Sequence, residues 1–453
     1  MKNKKILFTI MAIFVLTGTI IIRFHLSSCK VACSKPPSKI KAGKDITILV
    51  AADPHYFTSK LNDCGEAFNK YITTGDGKLI KYSDELIDAF TRDIEKIKPD
   101  ILIICGDLTN NGEKESHENL AEKLDIIQNS GTSVFVIPGN HDIKNPWSCK
   151  FKDRKQKKAS NITDKDFNKI YEPFGYSEAI SKDKNTLSYL AAPSEDIWLL
   201  MLDTNQYEDN IKRSAPQADG IINPDTLQWI EECSQKAKKE NAKIIAVMHH
   251  SLLDHNPVKN EGYTLNNSED VVEVFQRCDI ELALTGHIHL QSIKSYENNG
   301  KQIYDIATGA LSVYPHNYGI LNYSPNKGYE YNTNQVDMVG WAKENNIDDE
   351  NIHNFKEYSR TYFVNRSYYN FYEEFYNIHE YKDKEMDLMS KTLAELNAMY
   401  YEGKGEIDIE KIKSSEGYKL LEDIGTDFLK KYAEFIFEMK GINSNRLEVP
   451  VNK

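Results

Sequence analysis

Apolar residues come in two rhythms along this chain. Runs of strand length, rich in β-branched residues, cover Ile46 to Ala52, Ile101 to Cys105, Ser133 to Ile137, Ile197 to Leu202, Ile244 to Met248 and Ile280 to Thr285. Between these runs the apolar positions recur at helical spacing. From Ser83 to Lys98 the set Leu86, Ile87, Phe90, Ile94 and Ile97 predicts a helix, with Ser83 as its N-cap and Pro99 as its stop. A second helix is predicted around Glu113 to Asn129, burying Leu120, Leu124 and Ile127 and closed by Gly131. Others are predicted over Thr226 to Lys238 and Asp270 to Arg277. Strand and helix therefore alternate through the first half, which is the α/β pattern.

After Thr285 the rhythm changes. A strand over Gln302 to Thr308 is followed by a hairpin, Tyr318 to Tyr323 with Gly328 to Tyr331, turned by Pro325-Asn326-Lys327-Gly328. No proline lies between Pro325 and Pro450, and apolar or aromatic residues keep helical spacing there, as in Leu388, Leu393, Leu396, Met399 and Tyr400. This predicts an α/β domain over residues 46–335 followed by a smaller all-α C-terminal domain over 336–453. The tyrosine-rich segment from Tyr358 to Tyr381 reads as the face by which that second domain packs.

Ahead of the first strand the pattern differs again. Lys2, Lys4 and Lys5 precede an apolar run from Ile6 to Ile22 that ends at Arg23, so residues 1–32 read as an export signal or a single membrane anchor. Leu26-Ser27-Ser28-Cys29 resembles a bacterial lipobox, with Arg23 and His25 departing from its apolar pattern. Residues 33–45, with Pro36-Pro37, form a polar tether. Lipoprotein or anchored chain, the expected location is the cell membrane, with the remainder on its extracytoplasmic side.

Charge narrows the partners. With 68 acidic against 56 basic residues and a net charge of −12, the chain has no basic stripe to track a nucleic acid. A small phosphoester is not excluded, because bound cations dominate their own surroundings. The seven cysteines show no C-x-x-C spacing, which argues against zinc-finger and thioredoxin chemistry. Cys105 and Cys278 sit in or beside apolar strands as core residues, and nothing in the spacing supports a Cys64 to Cys149 bridge.

The candidate chemistry lies just past the strands. Asp53-Pro54-His55, Gly106-Asp107, Gly139-Asn140-His141-Asp142, His249-His250 and Gly286-His287-Ile288-His289 hold six of the twelve histidines. Each block follows an apolar run, and in α/β folds ligands gather at the carboxyl ends of strands. Asp53 and His55, two apart on an extended chain, would face one side, as would His287 and His289, and Gly286 would let the backbone approach closely. Each block alone is a common turn; five in order read as one site for two metal ions. Nitrogen and oxygen donors suit manganese, iron, zinc or cobalt. His250 reads as a neighbour of a ligand, Trp147 as ordinary packing or a base platform, and Tyr314 and His316 as pocket or packing residues. His25, His117, His353 and His379 have no evident partner.

This order of blocks resembles the calcineurin-like metallophosphoesterases over roughly residues 46–320. The resemblance implies a four-layer α/β/β/α sandwich, two mixed sheets inside and helices outside. It implies one metal on Asp53, His55, Asp107 and His289, and a second on Asp107, Asn140, His249 and His287, with Asp107 bridging. The metal pair would lower the pKa of a water whose hydroxide attacks phosphorus, and His141 would be the catalytic group that protonates the leaving oxygen. Protein phosphatases of the family carry Gly-Asp-x-x-Asp-Arg-Gly, whereas Gly106-Asp107-Leu108-Thr109-Asn110-Asn111-Gly112 lacks the second acid and the arginine. Purple acid phosphatases place a tyrosine where Asn110 stands. The remaining branch is the phosphodiesterases.

Nearly the whole chain resembles the exported cyclic nucleotide phosphodiesterases of Gram-positive bacteria. Asn110-Asn111-Gly112-Glu113-Lys114, Pro138 to Pro146 with Trp147, Leu200-Met201-Leu202-Asp203-Thr204 and Leu311-Ser312-Val313-Tyr314-Pro315-His316 carry that likeness. It implies hydrolysis of a small phosphodiester, a 3',5'-cyclic nucleotide such as cyclic AMP or cyclic GMP, with two divalent ions, manganese first and iron or zinc after. The alternatives are a broader phosphomonoesterase or glycerophosphodiesterase at the cell surface, and a non-catalytic surface-binding protein.

Overall fold

Two sheets form the body of the molecule, and the alternation of residues along their strands decides what covers each face. In this computed structural model residues 38–451 are described, apart from 257, 259 and 379. The predicted export or anchor segment, His25 and His379 lie outside the described residues. Among the described residues no helix is long and apolar enough to cross a membrane.

In chain order the strands are β1 (Ile46–Ala51), β2 (Ile101–Cys105), β3 (Ser133–Ile137), β4 (Cys149–Lys152) and β5 (Lys155–Lys158). Then come β6 (Ser181–Lys182), β7 (Tyr189–Ala191), β8 (Ile197–Leu202), β9 (Lys243–Met248) and β10 (Leu282–Thr285). Last are β11 (Ser292–Asn298), β12 (Lys301–Ala307), β13 (Asn317–Ser324), β14 (Gly328–Gln335) and β15 (Arg446–Pro450). One sheet has the order β15-β14-β13-β1-β2-β3, the other β11-β12-β10-β9-β8-β7-β6, and β4 and β5 form a separate ribbon. β1, β2 and β3 run parallel, as do β8, β9, β10 and β12, while the outer strands are antiparallel.

The sheets pack face to face. Ile197, Leu199 and Met201 of β8, with Ile245 and Val247 of β9, point into the core shared with β1, β2 and β3. The alternate residues Trp198, Leu200, Leu202, Ile244, Ala246 and Met248 point outward onto helices Pro224–Lys239 and Ser268–Cys278. Helices Ser83–Ile97 and Lys114–Asn129 cover the first sheet through Leu86, Phe90, Ile94, Leu120, Leu124 and Ile127. Strands buried on both faces read as unbroken apolar runs, which is why the sequence displays them so clearly.

From Met338 the chain is helical, with Phe355–Ile378, Asp383–Tyr401, Glu416–Ile424 and Asp427–Glu438 as the main helices. Their core is Phe375, Met386, Met389, Leu393, Leu396, Leu421, Leu429 and Ile436. Three residues of the sheet half enter that core, Leu290 fully and Val258 and Ile288 partly.

The structure adds elements that the patterning did not reveal, among them the helices Glu66–Thr73 and Asp164–Ile170, the β4–β5 ribbon, β6, β7, β11, and β15, which leaves the helices and pairs antiparallel with β14 from Asn332↔Arg446 to Gly328↔Pro450. In β15 only Val449 is buried, so its apolar signal is too thin to stand out. Ser83 is not the cap of its helix but its first residue, and its Oγ accepts the Phe57 N–H at 2.9 Å. Cys64 is exposed, Cys149 buried, and both are free thiols.

Candidate metal centre

All five blocks meet at the carboxyl ends of β1, β2, β3, β9 and β10. Backbone bonds knit them: the Asp53 N–H donates to the Gly106 carbonyl at 3.2 Å, His55 N–H to the Asp107 carbonyl at 2.9 Å, and Gly286 N–H to the His249 carbonyl at 3.0 Å. The Asp53 carboxylate accepts the His287 N–H at 2.9 and 3.2 Å, joining the first block to the last across both sheets. A Cβ on Gly286 would sit 2.8 Å from Asp53 Oδ2, so that close approach requires glycine.

One expectation about geometry fails. Asp53 and His55 are not extended; φ is 50° and 41°, and Asp107 (48°), His287 (68°) and His289 (58°) are also left-handed. Five of the seven candidate ligands thus adopt a backbone region disfavoured for side chains with a Cβ. Such strain persists where surrounding bonds over-determine the backbone, and it clusters at functional sites.

Donor atoms of Asp53, His55, Asp107 and His289 lie within 4.8 Å of one another, and so do those of Asp107, His249 and His287. Asp107 belongs to both groups, with Oδ2 at 3.4 Å from His55 Nε2 and 3.5 Å from His249 Nε2. Asn140 Oδ1 lies 3.1 Å from His249 Nε2. The structure therefore brings all seven predicted ligands together.

The imidazoles are set up as lone-pair donors. His249 Nδ1–H donates to the Cys105 carbonyl at 2.9 Å, leaving Nε2 toward Asp107. His287 Nε2–H donates to the Gly262 carbonyl at 2.8 Å, leaving Nδ1. Such outer bonds fix tautomer and ring direction in metal sites. Burial lowers the affinity of His55, His287 and His289 for a proton, His289 to about 3, so these rings stay neutral at pH 7. Burial, and the Asp107 carboxylate beside it, push the Asp53 carboxyl up. His249 differs: against burial, the Asp107 and Asp53 carboxylates raise its pKa to about 9. The nitrogen and oxygen donor set fits a pair of divalent ions.

His141 joins the cluster without belonging to either ligand group. Its N–H donates to Asp107 Oδ1 at 2.8 Å, and its Nδ1 is 2.9 Å from the Asn110 carbonyl and 3.1 Å from Asn111 Oδ1. The ring stands edge-on to His55 at 5.1 Å, with Nε2 as the nitrogen left for a substrate. Burial first, then Lys78, lower its pKa to about 4. Asn110 and Asn111 also donate to the Tyr71 hydroxyl at 2.8 and 3.1 Å, so of the two departures from the phosphatase pattern it is Asn111 whose side chain meets this histidine, while Asn110 meets it through its backbone.

Against these geometries stand the comparisons with known proteins. Residues 46–291, more than half of the chain, match the family described as calcineurin-like phosphoesterase. The chain belongs to the calcineurin-like phosphoesterase family. Residues 337–441 of this phosphoesterase match the C-terminal domain of cyclic nucleotide phosphodiesterase. A 3',5'-cyclic-nucleotide phosphodiesterase of Nostoc sp. is 25% identical over 217 residues, 46% of this chain and 64% of that protein. A probable cyclic nucleotide phosphodiesterase of Vesicomyosocius okutanii is 43% identical over 58 residues, 13% of this chain and 24% of that protein. The chain thus spans less than two thirds of either relative. Among solved structures, a dimetal phosphatase from Danio rerio has a TM-score of 0.44 at 11% identity, covering 64% of this chain and 95% of that one. A putative 5'-nucleotidase from Staphylococcus aureus has a TM-score of 0.37 at 15% identity, covering 71% and 59%.

Other residues of the phosphoesterase fall into place around the centre. Asp142 is a clamp: its carboxylate accepts N–H groups from Leu108, Thr109 and Gly139 at 2.8 to 3.0 Å and so locks two ligand loops together. His250 has both nitrogens engaged, by Thr204 Oγ1 at 2.7 Å and the Ala218 carbonyl at 2.9 Å, and packs on the His287 ring at 4.5 Å. His117 is buried, with partners in Thr109 at 3.0 Å and Tyr171 at 2.8 Å. His353 Nε2 bonds the Ile347 carbonyl at 3.0 Å. Tyr314 and His316 are packing residues, on Phe363 at 5.8 Å and Phe355 at 5.0 Å, where the helices meet the sheets.

Lys78 is a residue the sequence did not flag. It is 7% exposed, pairs with Asp76 at 3.1 Å, and its charge bears on Asp53, His55, His141 and His289. Helix Phe355–Ile378 holds the loop that carries it: Tyr362 Oη donates to the Ile72 carbonyl at 2.7 Å and the Lys78 carbonyl at 3.3 Å, and Arg366 binds the carbonyls of Thr73 and Gly75. Gly75-Asp76-Gly77-Lys78 looks like any polar turn, so only the fold reveals its place.

Proposed function

We propose that this chain is a dinuclear-metal phosphodiesterase that hydrolyses 3',5'-cyclic nucleotides, acting from the extracytoplasmic face of a membrane to which its N-terminus holds it. The observation that carries the reading is the sharing of Asp107 by two ligand groups with His141 beside them, in a chain whose helical half matches the cyclic nucleotide phosphodiesterase C-terminal domain. Asp53, His55, Asp107 and His289 would hold one metal, and Asp107, Asn140, His249 and His287 the other. When bound, the metals supply positive charge to the phosphoryl oxygens and an activated water for attack at phosphorus.

The chain's own groups do the rest. Lys78 sets a further positive charge beside the phosphoryl position, where a buried cation is worth more than in water. His141, oriented by Asn110 and Asn111, presents Nε2 to the leaving oxygen. A phosphodiester anion at that nitrogen favours its protonated form and offsets burial and Lys78, so the ring takes up a proton from solvent as the substrate binds and can pass it to the leaving oxygen. Without the arginine of the phosphoprotein branch, a dianionic monoester has one cationic group fewer to hold it.

The test is manganese-loaded protein assayed against bis-p-nitrophenyl phosphate, p-nitrophenyl phosphate and cyclic AMP. Diester cleavage in preference to monoester, with cyclic AMP turned over, is expected. Preference for the monoester sinks the reading.

A further inference from the structure

Two recesses open onto the candidate centre, and their chemistry differs. The first encloses about 380 Å³ between the loop around Asn260, the His287–Leu290 segment and the helices Phe355–Ile378, Asp383–Tyr401 and Asp427–Glu438. This volume lies within the range of small-molecule sites, about 300–1,000 Å³. His287 and His289, two of the candidate ligands, line it. The second, of about 600 Å³, lies on the His141 side and is lined by Lys78, Lys157 and Lys158.

The walls of the first recess are flat rings and amides. Phe363 and Tyr401 stand 4.7 Å apart, and Phe371 and Tyr432 6.3 Å apart. The Tyr432 hydroxyl donates to Asn397 Oδ1 at 2.7 Å, and Asn397 Nδ2 donates to Ser367 Oγ at 3.0 Å, which fixes the way that amide points. Asn370 is exposed on the same wall. The charged groups of the wall are already engaged: Arg366 by backbone carbonyls, Asp76 by Lys78, and Glu374 within its own surroundings. A cleft of rings and amides whose charged groups already have partners suits a planar, hydrogen-bonding heterocycle, which stacks on the rings and meets an amide with matching donors and acceptors. The lysine-lined recess suits an anion instead.

We infer that the first recess binds the nucleoside of the substrate, base against Phe371 and Asn370, with the phosphoryl group at the histidine end. The inference rests on the phosphodiesterase reading and assigns the helical half a task, the choice of substrate, while the sheet half does the cleavage.

The experiment uses the full chain loaded with manganese. Calorimetric titration with adenosine, which has no phosphate for the metals, is expected to show binding that Phe371→Ala weakens about 10-fold or more. Asn370→Ala, an exposed change that spares the fold, is expected to weaken it less. In both variants the ratio of kcat/KM for cyclic AMP to that for methyl p-nitrophenyl phosphate, a diester without a nucleoside, is expected to fall in step with adenosine affinity. No adenosine binding to the wild type overturns the inference, as does adenosine binding unaltered in both variants, or an equal loss on the two diesters. Wild-type protein that cleaves methyl p-nitrophenyl phosphate but not cyclic AMP ends the cyclic-nucleotide reading alone, and the adenosine titration then still decides the recess.

Discussion

The sheet half holds carboxyl groups displaced in both directions, Asp107, Asp76 and Asp84 downward among them, while those clearly displaced in the helical half move one way only. In the sheet half Asp53, Glu85, Asp93, Glu113, Asp142, Glu178 and Asp203 are pushed up from the ordinary carboxylate range, in each case chiefly by burial. From residue 337 onward the carboxyls clearly displaced, Asp337, Glu344, Glu385 and Asp387, are all held down, by hydrogen bonds to Arg92, Gly340, Lys382 or Lys391 that, with ion pairing, outweigh burial. Five left-handed ligand residues add to the load on the sheet half. Five left-handed ligands and the raised Asp53 and Asp142 meet at the centre, while Glu85, Asp93 and Glu178 are raised by burial elsewhere in the sheet half. Perturbed groups concentrated in one cleft mark the place where chemistry is done.

The comparison can be tested at four points of decreasing force. Asp107→Asn removes the carboxylate common to both ligand groups; metal analysis should show fewer than two ions per chain, and phosphodiester turnover should fall to the level of chelated protein. Full metal content in that variant would break the assignment. His141→Ala should keep both metals and lose about 10²–10⁴ in kcat. Near-normal activity removes His141 from the reaction.

The third point is pH. Glu113 is fully buried with a pKa near 7, so folding favours its protonated form; its contribution is intact below about 4.5 and lost as pH rises through 7. In metal-free protein, Glu113→Gln should therefore be more stable than wild type at pH 8, by about 2–4 kcal/mol in urea titrations, and no different at pH 4. A gain at pH 4 instead would reverse the sign and refute the burial argument. Last, Arg366→Ala frees the loop before Lys78 from its helix. We expect kcat/KM to fall about 10-fold with metal content unchanged, the scale of losing charged hydrogen bonds. No change would show that the helices do not support the centre through this loop.

Legibility in the sequence followed the same divide. Strands buried on both faces advertise themselves as apolar runs, and the polar blocks stand directly behind them, so the core strands and the five blocks could be read off, while the layers and the seven individual donors came from the resemblance to the family. The left-handed backbone at Asp53 and His55 could not, because it is imposed by bonds to residues 106 and 107 on another strand. Asp142 looked like a third polar group of its block, and only its three backbone donors show it to be a clamp. Lys78 had no apolar run to point to it. The tyrosine-rich segment was read as a packing face; Tyr358 and Tyr362 do pack, against Tyr82 at 5.6 Å and the Ile72 carbonyl at 2.7 Å, but Phe363 and Phe371 between them line a recess. Rings that face a partner and rings that face a cavity share one helical period, so spacing cannot separate them.

The strand β15 gives the helical half a second mooring. That half departs from the end of β14 and comes back to pair along the same strand, so both of its ends are sewn to one ladder of hydrogen bonds. A segment held by a single linker can swing; one held at both ends on a common edge can only pivot about that edge, like a door on two hinges. Any widening of the cleft between helices and centre must therefore occur at the side remote from β14, and a single cut in the backbone among the helices would leave both fragments fastened to the sheet.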